Sequence, residues 1–162
     1  MMTMNEICKV VIIDDDYTAI EDLKKGLAVY SDMLIKGTAV NGAKGRKMIM
    51  EQRPDLLFLD IELPDMLGIR LLSDMREEVV WDMKVVFYTA YDKYLLQALR
   101  ESAFDYLLKP FTTEELDGII ERYRKAMVTH QVTPSFSASI AALLPQRDTF
   151  MISSVTGFKL LR

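Results

Sequence analysis

The sequence predicts an α/β fold, a doubly wound five-stranded parallel sheet with helices on both faces, and three observations carry that expectation. Five short apolar runs, at residues 9–13, 34–40, 56–59, 84–88 and 104–108, alternate with amphipathic stretches. Most of these runs are rich in Val, Ile, Leu or Phe, as strands buried on both faces require. Strands that alternate strictly with helices need right-handed crossovers, and these give a parallel sheet.

The helices follow from spacing. Ile20, Leu23 and Leu27 recur at i, i+3 and i+7 after the first run, and Leu95, Leu96 and Leu99 mark a second such face. Leu116, Ile119, Ile120, Tyr123 and Met127 trace one stripe through a last helix. Thr112 or Thr113 is placed to cap it, and Glu114 and Glu115 suit its first turn. The expected strand order is flavodoxin-like, 2-1-3-4-5. Residues 130–147 break the rhythm with Pro134, Pro145, Ser135, Ser137 and Ser139, which reads as a linker with a short helix near 140–144. Residues 149–154 and 158–161 then read as two strands joined around Thr156 and Gly157. A lone hairpin is marginal in water, so a second domain is expected to begin here.

Composition narrows the classes. The chain is 50% hydrophobic and 27% charged, which excludes a wholly disordered protein. No apolar run approaches the ~20 residues of a membrane-spanning helix, and no basic segment followed by an apolar stretch opens the chain. Cys8 is alone, so no internal disulfide is expected and a reducing cytoplasm is the natural compartment. Residues 1–129 hold 23 acids and 17 bases, whereas 130–162 hold only Asp148 against Arg147, Lys159 and Arg162. An acidic body of net −6 is a poor surface for a phosphate backbone.

In such a sheet, ligands sit beyond the carboxyl ends of the strands. The first strand ends in Asp14, Asp15 and Asp16, the third in Asp60, the fourth in Thr89 and the fifth in Lys109 and Pro110. Clustered carboxylates repel one another unless a cation joins them. Hard oxygen ligands of this kind suit Mg2+, which takes one or two carboxylates with water and phosphate. Phosphoryl transfer to a carboxylate needs a nucleophile, a metal and a second cation. Asp60 supplies the nucleophile, Lys109 the second cation and Thr89 a hydrogen-bond donor. His130 falls at the end of the last helix, so a histidine donor must come from another protein.

The ordered motifs IIDDD, LFLDIELPDMLGI, VVFYTA and DYLLKPF resemble the receiver domain of bacterial two-component response regulators, over about residues 8–128. The resemblance implies a CheY-like (βα)5 fold and a signalling switch, with self-phosphorylation and slow autodephosphorylation on Asp60 alone. Asp60 matches the family's phosphoacceptor, charged by a sensor histidine kinase. Asp14 and Asp15 match its acidic pair, Asp15 binding Mg2+ directly and Asp14 through water, and Glu62 supplies a backbone carbonyl to the metal. Thr89 matches the conserved hydroxyl, Lys109 the lysine, Tyr106 the aromatic switch, and the Lys109–Pro110 bond a cis peptide. Asp16 stands where Glu is commoner, and Glu62 and Tyr91 sit where side chains govern access of water to the phosphoryl group. The family's activated form pairs with a second copy through its fourth helix, fifth strand and fifth helix.

Residues 148–161, DTFMISSVTGFKLL, resemble the opening of the LytTR DNA-binding domain. The expected organisation is therefore a receiver over 1–129, a linker over 130–147 and the start of a truncated LytTR-like output domain over 148–162. DNA would be bound only through the missing part. Two alternatives stand beside it, a stand-alone relay acting by protein docking and a haloacid-dehalogenase-like phosphatase. The phosphatase needs a second Asp where Glu62 stands. Blander readings attach to single residues: Tyr106 as plain core, Cys8 as a small buried hydrophobe, His130 as a solvated helix end.

Overall fold

The computed structural model describes residues 6–100 and 103–128, apart from the side chains of residues 96 and 99. His130, the linker and the residues expected to open an output domain lie outside these. Strands β1 (Cys8–Ile13), β2 (Met33–Ala39), β3 (Leu56–Leu59), β4 (Lys84–Thr89) and β5 (Asp105–Leu108) alternate with helices α1 (Tyr17–Leu27), α2 (Gly42–Gln52), α3 (Gly68–Met75), α4 (Leu95–Arg100) and α5 (Thr113–Val128). A 3-10 turn, Asp92–Tyr94, leads into α4. The strands form one sheet in the order β2-β1-β3-β4-β5, with every neighbouring pair parallel.

Alternation along the strands splits the core in two. Val10, Ile12, Leu56, Phe58, Val86 and Tyr88 face α1 and α5, meeting Leu23, Leu27, Ile119 and Ile120. Val11, Ile13, Leu57, Leu59, Val85 and Phe87 face α2, α3 and α4, meeting Ile49, Leu71, Met75 and Ala98. The central strands are thus apolar on both faces, as their unbroken apolar runs imply.

Three sequence expectations change in detail. The second and fifth strands start at Met33 and Asp105, and β4 extends to Thr89. Phe104 precedes β5, with its amide bonded to Val85 O at 2.6 Å. In α4, Leu95 is exposed and Ala98 is buried, while the side chains of the other two leucines of the expected face lie outside the described residues. At α5 the choice of cap resolves to Thr112. Its Oγ1 accepts from the Glu115 amide at 3.1 Å, and Glu115 Oε1 accepts from the Thr112 amide at 3.0 Å, a reciprocal capping box.

The chain leaves β1 for β2 on one side and returns to β3 on the other. The crevice beyond the carboxyl ends of β1 and β3 is therefore the topological switch point, where such folds hold ligands. Asp14 and Asp60 follow these two strands directly, with their amides bonded to Ala39 O and Ile13 O at 2.9 Å each.

Candidate functional site

Asp14 is fully buried, Asp60 nearly so, and Asp15 exposed. One carboxylate oxygen from each lies within 4.8 Å of the others. Lys109 reaches in from the end of β5, with Nζ 2.6 Å from Asp14 Oδ2 and 3.5 Å from Asp60 Oδ2. The same ammonium lies 4.9 Å from the centre of the Tyr88 ring, and Tyr88 is held by its hydroxyl on Ala19 O at 3.0 Å. The Lys109–Pro110 peptide is cis.

Local structure explains these positions. Asp14 Oδ1 accepts from the Asp16 amide at 2.9 Å, and Asp16 in turn caps α1 by accepting from the Thr18 amide at 2.9 Å. The aspartate that departs from the commoner glutamate is thus the N-cap of α1, a position that favours the shorter side chain. Asp14 Oδ2 is buried, and the partner that reaches it is the Lys109 ammonium.

Burial pushes the Asp14 carboxyl above the ordinary aspartate range, and Lys109 and the Asp16 amide pull it back. Asp60 is pushed up to about 6, first by burial and next by the charge of Asp14, with Lys109 opposing. Two acids are thus held where ionisation of one hinders the other, with one ammonium between them. Three carboxylates that bring an oxygen each within 4.8 Å of one another are the donor set of a hard cation such as Mg2+, so the residues present fit that ion.

The loop after β3 is tightly built. Gly68 starts α3 directly beneath Asp60, and a Cβ there would lie well inside contact distance of the Asp60 carbonyl oxygen. Leu67 and Glu62 pair across the loop. Asp65 accepts from the amides of Gly42 and Ala43 at 2.7 and 3.0 Å, anchoring the loop on the N-terminus of α2. These bonds hold its carboxyl below the ordinary range. Sequence reasoning missed Asp65, and its partners lie 23 and 22 residues away.

The remaining candidates surround this centre. The Glu62 amide points at Asp60 Oδ1 at 3.4 Å, while its carboxylate is turned to Tyr94. Thr89 is fully buried at the end of β4, with Oγ1 accepting from the Tyr91 amide at 3.3 Å. Tyr106 is half-buried against the second core, and its hydroxyl donates to the Tyr91 carbonyl. The residue therefore has both a core contact and a polar link to the loop after Thr89. An open groove of about 400 Å3 between α1 and the β5–α5 loop, bordered by Asp16, Ala19, Asp22, Tyr88 and Phe111, leads to Lys109.

The response regulator receiver domain family model matches residues 10–121. A response regulatory protein of Vibrio vulnificus is 41% identical over 136 residues, covering 84% of this chain and 54% of that protein. The transcriptional regulatory protein BtsR of Escherichia coli is 34% identical over 158 residues, covering 90% of this chain and 65% of that protein. The chain thus spans about half to two thirds of the length of these curated relatives. Among solved structures, the response regulatory domain of mrkE from Klebsiella pneumoniae has a TM-score of 0.67 at 28% identity, covering 73% of this chain and 96% of that one. The receiver domain of AraT from Geobacillus stearothermophilus has a TM-score of 0.70 at 26% identity, covering 77% and 98%. By its matched family model, its relatives and the order of its strands, the chain belongs to the response regulator receiver domains.

Proposed function

We propose that this receiver is a phosphorylation-activated switch in which Asp60 accepts a phosphoryl group from the phosphohistidine of a sensor histidine kinase. The observation that carries the reading is the convergence of Asp14, Asp15 and Asp60 within 4.8 Å, with the Lys109 ammonium on two of them. A carboxylate oxygen of Asp60 attacks phosphorus in line, the bond from phosphorus to the donor nitrogen breaks, and the kinase imidazole leaves. Lys109 neutralises charge on the phosphoryl oxygens, as a pre-placed cation must if charge is to be stabilised without reorganisation. Thr89 donates its hydroxyl to a phosphoryl oxygen. Asp14, Asp15, Asp60 and the Glu62 carbonyl would hold Mg2+, which when bound offsets the negative charge of carboxylates and phosphoryl group together.

In this reading the protein is a switch and not a turnover enzyme. Once Asp60 carries the acyl phosphate, Thr89 moves inward and Tyr106 follows, biasing the α4-β5-α5 face towards a second copy. Such a bias needs contacts that differ between the two states. The bond from Tyr106 to the loop after Thr89 supplies a link that must re-form or break. Mass in solution with and without beryllofluoride tests the pairing; an unchanged monomer counts against it. The output is proposed to be transcriptional and cytoplasmic, through a LytTR-like domain opening near residue 148. Its support is the 148–161 sequence and the similarity to a relative named a transcriptional regulatory protein.

The decisive experiment is labelling by acetyl phosphate with Mg2+. Wild type takes one phosphoryl group and Asp60→Asn takes none; undiminished labelling of the variant removes Asp60 from the role.

A further inference from the structure

The loop after β3 and the turn before α4 are tied at a point that phosphoryl transfer does not use. The Tyr94 hydroxyl donates to Glu62 Oε2 at 2.6 Å, across 32 residues of sequence. Lys93 Nζ stands 3.8 Å from the same oxygen. It also lies 5.1 and 5.2 Å from the ring centres of Tyr91 and Tyr94, which meet edge-on at 6.4 Å. Glu62 is held at its other end too, because its amide points at Asp60 Oδ1 at 3.4 Å. Its carboxylate stands outside the cluster of Asp14, Asp15 and Asp60.

A carboxylate two residues beyond Asp60, if free to rotate, is a candidate base for water attacking a phosphoryl group on that aspartate. Two partners oppose the rotation, and they are not equal. The Lys93 contact is long and exposed, the kind of ion pair that contributes little. The Tyr94 contact is short and charge-assisted, the stronger kind.

We propose that Tyr94 is a positioning residue that parks the Glu62 carboxylate away from Asp60 and so lengthens the life of a phosphoryl group there. The inference rests on Asp60 being the phosphoacceptor. In the reaction it suppresses, water attacks phosphorus and the bond from phosphorus to the Asp60 oxygen breaks. Inorganic phosphate leaves, the Asp60 carboxylate is regenerated, and the water proton passes to Glu62 and on to solvent.

The test phosphorylates the protein with acetyl phosphate and Mg2+, removes the donor and follows decay of the acyl phosphate. Tyr94→Phe keeps the ring and loses the hydroxyl. Decay is expected to quicken roughly three- to tenfold, below the ~10²–10⁴ of a fully positioned base. In a Glu62→Gln background the same substitution is expected to change nothing, because no carboxylate is left to release. Unchanged decay in Tyr94→Phe overturns the proposal. So does an equal acceleration in the Gln background, which would mean that the turn is merely loosened. A wild type that takes no label overturns the assignment of Asp60 instead, and so separates the two failures.

Discussion

Asp60→Asn should make the protein more stable at neutral pH in the absence of divalent cations. The Asp60 side chain is 8% exposed and stands beside the fully buried Asp14. Burial and the charge of Asp14 lift its carboxyl from 3.8 to about 6, equivalent to about 3 kcal/mol at ~1.36 kcal/mol per pH unit. Because the folded value is raised, the favourable contribution is complete below the unfolded value near 4 and is lost as pH rises through 6. At pH 7.5 the folded protein therefore carries the whole penalty. Asparagine keeps the shape and removes the charge, but it also forgoes the attraction of Lys109, so a net gain of about 1–2 kcal/mol is expected. For a domain of this size that corresponds to roughly 5 °C in Tm. Urea and thermal unfolding with EDTA at pH 7.5 and pH 5 would measure it, with the advantage smaller at pH 5. A variant less stable than wild type at pH 7.5, or an advantage that grows on acidification, would refute the reasoning.

Two further outcomes follow from the same geometry. Gly68→Ala drives a methyl group into the Asp60 carbonyl, and backbone cannot yield as a flexible side chain does. A loss of about 2–3 kcal/mol by urea unfolding is expected, with weakened Mg2+ binding because the Asp60 loop shifts; stability within error of wild type would show that the loop is looser than drawn. Mg2+ binding by calorimetry should weaken as pH falls through about 6, since a proton on Asp60 competes with the metal. The limit is about tenfold per pH unit for one competing proton, and a flat affinity between pH 5 and 7.5 would remove Asp60 from the ligand set.

Much of the fold was legible because β1 and β3 are buried on both faces and so spell out continuous apolar runs. The site was legible for a related reason: polar residues at the ends of such runs have few structural roles to fill. What stayed hidden was contact between loops. Asp65, next to Pro64, reads as an ordinary turn former, and only the fold brings the first turn of α2 to it. The Tyr94–Glu62 bond joins two loops whose local sequence prefers neither partner.

The register of the sheet explains why four distant positions meet without any side chain having to seek another. Ile13 pairs with Leu59 at the ends of β1 and β3, so Asp14 and Asp60 leave the sheet side by side. Thr89 pairs with Leu108 at the ends of β4 and β5, so Lys109 emerges one residue beyond the hydroxyl. A slip of one residue in β3 would move Phe58 and Leu59 each to the face the other occupies and carry Asp60 out of the cluster. The hydrophobic pattern of the core therefore holds the acids together against their own repulsion. A fold selected for stability alone has no use for an Asp60 whose carboxyl is pushed up to about 6 by burial and by the charge of Asp14. Lys109 offsets part of that cost and a bound Mg2+ would offset more, so Mg2+ binding and folding stability are linked through the same atoms. The acid cluster is thus costly to the empty domain for the same reason that it is suited to a metal and a phosphoryl group.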